Sequence, residues 1–485
     1  MRGAWPVAAV REAEAALMAT LPEGTLMQRA AAGLARRCAL TLPQVYGAHV
    51  LLLVGSGDNG GDALYAGARL AQRGARVMAL LLNPERAHRG GLAALRRAGG
   101  RVLRPSAKAP SSTRLTDLLP DRIDLVVDGI VGIGGRGGLR PEAAEVVAAL
   151  TDVTTVAVDV PSGIDVDTGA VTGAAVSADV TVTFGCLKPG LVVGPGATHA
   201  GMVELVDIGL TPYLTGEPAV WVPDMADVAE WWPQPGPDDD KYTRGAVGIA
   251  AGSAQFTGAA VLSVGGALAG PAGFIRYAGA AADQVRARWP EAVVTERVAD
   301  AGRVQAWVAG PGMGTDDAAR EALTQVLAAP VPVCLDADAL TLLAEDPKRW
   351  LAGRSAPTVL TPHDREFARI GGEKPNEAGR VAAAVRLAQA LNVVVLLKGD
   401  HTIVATPDGR AYANPTGTPV LATAGTGDVL SGVIGSLLAA GLPPERAAIA
   451  GAFVHGLAGR HAAERGPVTA QDVMVSLRSV IHQLG

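Results

Sequence analysis

The chain's 485 residues exceed the roughly 250–300 at which a single hydrophobic core stops growing, so two domains are expected. Apolar residues at 49% and charged residues at 18% exclude a largely disordered protein. A formal net charge of −5, with no block of Lys or Arg, excludes the electrostatic footprint of a nucleic-acid binder.

The opening MRGAWPVAAV is interrupted by Arg11, Glu12 and Glu14 before any apolar leader forms. No run long enough to span a membrane (about 18 apolar residues) follows, so a soluble, cytoplasmic protein without membrane partners is expected. Cys38, Cys186 and Cys334 are far apart and lack CxxC spacing, which reads as buried free thiols in a reducing compartment and implies no zinc. HVLLLVG at 49–55 is short, apolar and followed by glycines, as expected of a buried parallel strand entering a loop. ARVMALLL (75–82), IDLVVDGI (123–130), TVAVDV (155–160), ADVTVTFG (178–185) and MVELVDIG (202–209) repeat the pattern, with helix-like stretches between several of them. This alternation predicts a doubly wound α/β sheet.

GSGDNGGDA at 55–63 lies between a strand and a helix-like segment, where its glycines let backbone amides approach a phosphate. It does not match the GxGxxG dinucleotide fingerprint. Asp58, Asn59 and Asp62 within it carry oxygens suited to ribose hydroxyls or a cation. VVDGIVGIGGRGGLR (126–140) and VAVDVPSGIDVDTG (156–169) each set an Asp at the end of a strand, so Asp128 and Asp159 should face the crevice above the sheet. The plainer alternative is that these carboxylates cap the next helix.

Between 210 and 244 the text turns proline-rich and acidic and loses its periodicity, and the part around Trp232 to Asp240 reads as a linker. Strand-like runs resume with GAVGIAAGS (245–253), QAWVAGPGMG (305–314), VPVCLDADAL (331–340), TVLTPH (358–363), VVVLLKG (393–399) and HTIVATP (401–407). The two halves share no glycine motif and look like a fusion of unrelated catalysts. AGTGD, within NPTGTPVLATAGTGDVLSGVIGSLLAAG (414–441), opens an apolar helix. The amides of Gly425, Thr426 and Gly427 can there form an anion hole, with Asp428 placed to take a proton from an attacking hydroxyl. Alternatively, Asp428 only caps the helix.

GSGDNGGD, DGIVGIGGRG, DVPSGID, FGCLKPG (184–190) and LMQRAA (26–31) resemble the NAD(P)H-hydrate epimerase family over roughly residues 1–215. AGTGD resembles the ribokinase-like superfamily. Its companions GSAQFTGAAVLSVGGALAGPAGF (252–274), AGPGMG (309–314), LDADAL (335–340), TPHDREFARI (361–370), LKGDHT (397–402) and FVHG (453–456) are similar to the NAD(P)H-hydrate dehydratase branch, over about 218–485. The fold implied is a Rossmann-like doubly wound domain at 1–217 followed by a ribokinase-like α/β domain at 218–485. The function implied is repair of hydrated nicotinamide cofactors: interconversion of the R and S hydrates of NADH and NADPH, then ADP-dependent dehydration of the S form.

In the first domain the resemblance implies that Asp58, Asn59, Gly60, Gly61 and Asp62, with Gly132, Ile133, Gly134, Gly135, Arg136, Gly137 and Gly138, hold the nucleotide. Asp159 contacts the hydrated ring, and Asn59, Asp128 and Ser162 bind K⁺. Chemically, one carboxyl that protonates the leaving hydroxyl and then activates water suffices for epimerisation, with Asp159 the candidate and Lys188 its electrostatic partner. The alternative for Lys188 is a solvated surface lysine. In the second domain Ala259, Gly312, Gly314, His363 and Asp428 hold the hydrate, and Lys398, Gly399, Asp400, His401, Thr402, Gly425, Thr426 and Gly427 hold ADP, with Mg²⁺ neutralising its charge and Asp428 as base. His363 has the alternative of an ordinary buried histidine. Asp58 and Ala63 depart from the family's commoner Asn and Gly, and Asp364 from its commoner Pro, while Glu366 is retained. A homo-oligomer is expected. The rival functions are a ribokinase-type kinase of a small molecule, and an N-terminal domain that binds without catalysing.

Overall fold

A computed structural model describes residues 1–103, 114–135, 137–374 and 379–484. The chain divides into two compact units, Gly3–Ala219 and Val220–Gly485, with Met1–Arg2 counted in the second.

In the first unit a 7-stranded sheet runs in the order Arg101–Leu103, Arg76–Leu81, His49–Val54, Leu125–Gly129, Thr155–Val158, Val180–Phe184, Met202–Val206. Every pairing is parallel. Leu51, Leu52, Val127 and Val156 are wholly buried, as strands covered on both faces require. The chain winds outward from His49–Val54 to one edge and then returns to build the other half from Leu125–Gly129. Between these two strands lies the topological switch point, where open α/β sheets bind ligands. At that point a Cβ on Gly55 would come within 1.8 Å of the Ile130 carbonyl, so only glycine lets the two strand ends approach.

The second unit's own strands run in the order Val220–Val222, Ala411–Ala413, Ile403–Ala405, Val394–Leu397, Thr358–Leu360, Val333–Leu335, Ala306–Ala309, Ala246–Ala250, Phe274–Ala278, Val293–Thr295. The core of this sheet is parallel, and Ile403–Ala405 alone runs against both of its neighbours. Helices Thr257–Ala269 and Thr426–Ala439 cross in close contact. A Cβ on Gly266 would meet the Val429 carbonyl at 2.2 Å, and one on Gly432 the Ser263 carbonyl at 2.1 Å. Glycine at both crossings fixes how the N-terminus of the second helix is aimed.

The irregular stretch expected between 210 and 244 contains the strand Val220–Val222 and the helix Met225–Trp231, capped by Asp224 accepting from the Asp227 amide at 3.1 Å. Val220, Val222, Val228 and Trp232 are buried and belong to the second unit, which corrects the linker reading at Trp232. Residues 234–243 are exposed.

Candidate active sites

The first site grows from three strand ends. Asp128, wholly buried in strand Leu125–Gly129, does not cap a helix. Its Oδ2 accepts from the Ser162 amide at 2.8 Å, and its Oδ1 accepts from the Ser162 hydroxyl at 2.7 Å and the Ile130 amide at 3.2 Å. Burial pushes this carboxyl up to about 6, against the pull of those hydrogen bonds. Ser162 Oγ also accepts from the Val131 amide at 2.9 Å. Asn59 donates through Nδ2 to the Val158 carbonyl, and its Oδ1 would lie 2.2 Å from a Cβ on Gly132. Asn59, Asp128 and Ser162 thus meet in one knot of loops.

Asp159 has φ +65°, a left-handed conformation rare for a residue with a side chain, and is fixed by its amide donating to the Val182 carbonyl at 2.7 Å. Its Oδ1 accepts from Lys188 Nζ at 2.6 Å, Thr183 Oγ1 at 3.0 Å and the Phe184 amide at 3.3 Å. Lys188 is only 1% exposed, and its ammonium also donates to Thr183 Oγ1 at 3.0 Å and the Phe184 carbonyl at 2.9 Å. The surface-lysine alternative is therefore wrong. Asp159 cannot be mistaken for a helix cap either, since none of these donors opens a helix.

A cavity of about 1910 Å³ opens over Asp159 and is lined by Asp58, Asn59, Asp62, Gly132, Ile133, Gly134, Gly135, Gly137 and Gly138, together with Arg11, Glu14, Tyr65 and His88. Gly60 and Gly61 stand behind its wall, against the Gly55 carbonyl and the Met27 and His88 side chains respectively. Asp128, Ser162 and Lys188 are likewise behind it. Arg136 lies outside the described residues. Asp58 is exposed in the first turn of helix Asp58–Gln72, where the helix dipole favours a carboxylate, so its departure from the family pattern buries no charge. Asp62 is 6% exposed, and its Oδ1 has no hydrogen-bond partner. Burial, with Asp159, Asp58 and Glu14 nearby, raises its carboxyl well above the usual range.

The second site centres on the N-terminus of helix Thr426–Ala439, whose cap is Gly425 at φ +88°. Asp428 is not the cap and stands in the first turn. Burial, then the charge of Asp336, pushes its carboxyl up to about 7, against Lys398. Asp336 is 1% exposed and accepts from Lys398 Nζ at 2.6 Å and Ser431 Oγ at 2.7 Å. A Cβ on Gly427 would stand 3.5 Å from both Asp336 Oδ2 and Lys398 Nζ, so the glycine opens the floor between the helix start and this pair. Burial works against the charge on Lys398, but Asp336, Glu366 and Asp428 outweigh it and the ammonium is held above its ordinary range.

Gly312, at φ +59°, packs its backbone on Ala259 and Phe256, and the Gly314 amide donates to Asp338 at 2.9 Å. His363 is half-exposed, not buried; its Nδ1 accepts from the Arg365 and Glu366 amides at 3.1 and 3.3 Å and caps helix Asp364–Arg369. Asp364 pairs with Arg380 at 2.8 Å, and Arg380 also donates to the Lys398 carbonyl. From Lys398 the chain turns through Gly399, Asp400 and His401 to Thr402, whose hydroxyl donates back to the Gly399 carbonyl at 2.9 Å. Burial lowers the His401 imidazole. The hydroxyl of Thr426 is spent on the Leu421 and Thr423 carbonyls at 2.8 and 3.0 Å. Asp336, Ser431, Arg380 and Glu14 were not singled out from the sequence as site residues. Asp336 was within reach, standing in LDADAL directly after the strand Val333–Leu335.

A glycine-walled crevice over a buried Asp–Lys pair, and a helix N-terminus bearing a carboxyl beside a second such pair, define two fused α/β enzymes, the second ribokinase-like. Residues 23–190 match the family described as YjeF-related protein N-terminus, and residues 247–478 match NAD(P)H-hydrate dehydratase. The bifunctional NAD(P)H-hydrate repair enzyme Nnr of Mycobacterium tuberculosis is 51% identical over 92% of this chain and 91% of its own length. That of Mycobacterium leprae is 50% identical over 96% of both chains. The solved ADP/ATP-dependent NAD(P)H-hydrate dehydratase from Bacillus subtilis, co-crystallised with ATP/Mg²⁺, is 29% identical with a TM-score of 0.51, covering 55% of this chain and 99% of that one. The chain belongs to the family of bifunctional NAD(P)H-hydrate repair enzymes. The kinase and the binding-only readings are not favoured. Among the described residues no helix is long and apolar enough to cross a membrane.

Proposed function

We propose that residues 1–217 epimerise the R and S hydrates of NADH and NADPH in the cavity over Asp159, and that residues 218–485 dehydrate the S form with ADP as phosphoryl donor. The buried Asp159–Lys188 pair beneath a glycine-walled cavity is the observation that most supports catalysis in the first domain. A hydroxyl on the ring carbon beside nitrogen leaves as water when protonated, the nitrogen lone pair forming an iminium, and water returning to either face gives both epimers. Asp58, Asn59, Asp62 and the 132–138 glycine loop hold the nucleotide, and Asp159 handles protons at the ring. In the second domain Asp428 removes the substrate hydroxyl's proton as its oxygen attacks the β-phosphorus of ADP. AMP leaves, the ring nitrogen then expels phosphate, and loss of a ring proton restores the dihydronicotinamide. The amides of Gly425 to Gly427 and the Lys398–Thr402 turn bind the phosphates. Ala259, Gly312, Gly314 and His363 flank the hydrate.

Mg²⁺ fits as an ion carried on the nucleotide's phosphates, since among the described residues no three His, Cys, Asp or Glu side chains gather to hold a metal. It would neutralise phosphate charge. K⁺ fits the loop knot: Asp128 is a wholly buried carboxyl bonded to Ser162 and Ile130 and beside no cationic side chain among the described residues, and Asn59 and Ser162 add hard oxygens. The ion would supply countercharge and hold three loops together. The three cysteines, all buried and unpaired, support a cytoplasmic location.

Pure protein given mixed R and S hydrates should restore the reduced-nicotinamide absorbance of both epimers only when ADP is present. Recovery of the S form alone removes the epimerase from the first domain. The same assay tests the ion. Epimerisation should be faster in K⁺ than in Li⁺ buffers, and Asp128→Ala should lose both activity and ion response. Equal rates in thoroughly K⁺-free buffer defeat the ion site and leave Asp128 as a loop tie.

A further inference from the structure

The hydrates of NADPH carry one group that those of NADH lack, a phosphate on the 2′-oxygen of the adenosine ribose. A cavity that tells the two apart must present a cation where that ribose lies. Among the described residues three arginines line the cavity over Asp159: Arg11, Arg86 and Arg140. None of their side chains has a hydrogen-bond or ion-pair partner among the described residues.

Position separates the three. A Cβ on Gly134 would lie 3.3 Å from Arg11 Nη2, and Arg140 ends the same glycine loop, directly before helix Pro141–Ala148. Arg86 stands at the opposite end of the cavity. It follows strand Arg76–Leu81, which pairs with His49–Val54 on the side away from Leu125–Gly129 and Thr155–Val158. The Leu82 amide donates to the Val54 carbonyl at 3.0 Å, which sets this strand's end level with the start of the 55–62 glycine loop. The strand that ends at Asp159 is three strands away, about 14 Å at the usual spacing, a span that an extended dinucleotide bridges. With the hydrated ring at Asp159 and the pyrophosphate over the two glycine loops between, the adenosine ribose falls over residues 82–88.

In open α/β sheets that bind dinucleotides, this region reads the 2′ position, with a carboxylate for the free hydroxyl and an arginine for the phosphate. Here Leu82, Asn83, Arg86 and His88 line the cavity, and Glu85, the one carboxylate of the stretch, does not. The loop is seated by its own contacts. The Arg86 amide donates to the Asn83 carbonyl at 3.2 Å, and His88 Nδ1 accepts from the Gly91 amide at 3.0 Å. The His88 ring meets Tyr65 edge-on at 5.7 Å, and its Cγ would lie 3.2 Å from a Cβ on Gly61, so the loop packs on helix Asp58–Gln72. Arg86 is exposed above this seat, and the hydroxyl of the cavity-lining Tyr65 bonds nothing among the described residues.

We propose that Arg86, with Asn83 and Tyr65, forms a subsite for the 2′-phosphate, and that the epimerase thereby favours the hydrates of NADPH over those of NADH. The guanidinium offers paired N–H donors to two phosphate oxygens, and the Asn83 amide and the Tyr65 hydroxyl add further donors. The proposal rests on the epimerase reading of this cavity.

Interconversion of R and S hydrates by the full chain, followed without ADP, isolates the first domain. Wild-type KM should be lower for the NADPH hydrates. Arg86→Ala should raise KM for the NADPH hydrates by about 10–100-fold relative to KM for the NADH hydrates, the worth of hydrogen bonds to a charged group, with kcat retained. Arg86→Lys should recover part of that difference, and Arg86→Glu should reverse the preference. In the wild type, adenosine 2′,5′-bisphosphate should inhibit interconversion at lower concentration than AMP, a comparison that needs no variant to fold. A KM ratio that Arg86→Ala leaves in place, a ratio that shifts in Arg11→Ala instead, or equal inhibition by the two nucleotides overturns the subsite. If the wild type interconverts neither pair of hydrates faster than they interconvert spontaneously, the reading of the cavity fails. If it interconverts both and Arg86→Ala does not move the ratio, only the subsite fails.

Discussion

Asp428→Asn is expected to lower ADP-dependent dehydration by about 10²–10⁴, the usual worth of a general base, with epimerisation untouched. The asparagine keeps the shape and the Gly425-capped helix start, so nucleotide binding and folding should persist and the loss should fall on kcat. The pH profile supplies a second reading. Burial and Asp336 put the Asp428 carboxyl at about 7, and a base works only when ionised. Dehydration kcat/KM should therefore fall as pH drops through about 7. Asp336→Asn removes the like charge that raises Asp428 and leaves Lys398, which lowers it, unneutralised. Both changes act in the same direction, and the acidic limb should move to lower pH. Near wild-type turnover in Asp428→Asn would falsify the assignment. A limb that stays put in Asp336→Asn would show that Asp428 does not set it.

The strands that carry sites were legible because each is an apolar run ending in glycine or acid: His49–Val54, Leu125–Gly129, Thr155–Val158 and Val394–Leu397 all fall inside runs read from sequence. The strands that escaped, Arg101–Leu103, Val293–Thr295 and Ala411–Ala413 among them, are three residues long, too short for a period to register, whereas the equally short Val333–Leu335 and Thr358–Leu360 were marked by the LDADAL and TPH strings at their ends. Phe274–Ala278 escaped for another reason, since FIRYA carries an arginine whose guanidinium reaches the Ala301 carbonyl at 2.7 Å. At the sites, the residues next to glycine strings were visible. Those acting from a distant segment were not: Lys398 meets Asp336 across 62 residues of sequence. Burial is the property a single sequence conveys least, which is why Lys188 and His363 could each be read either way and came out opposite, the lysine sealed and the histidine half-open.

Lys188→Met is expected to cost the first domain about 3–5 kcal/mol, the range seen when one partner of a buried ion pair is removed. Lys188 is 1% exposed and gives all its ammonium protons to Asp159, Thr183 and the Phe184 carbonyl. Methionine fills much of the same volume, so packing is largely spared and the cost comes from what is left behind. Asp159 would keep Thr183 and the Phe184 amide but lose its only direct cation among the described residues, in a left-handed backbone that already stores strain. The double variant Lys188→Met with Asp159→Asn removes both charges and should recover most of the stability, because the loss in the single variant is the uncompensated carboxylate rather than a missing attraction. Epimerisation should be lost in both. Chemical denaturation of the first domain, followed beside dehydration as a control on the second, distinguishes the outcomes. If the double variant is no more stable than Lys188→Met, the lysine stabilises by packing alone, and the pairing ceases to explain why a charged side chain is buried beneath the cavity floor.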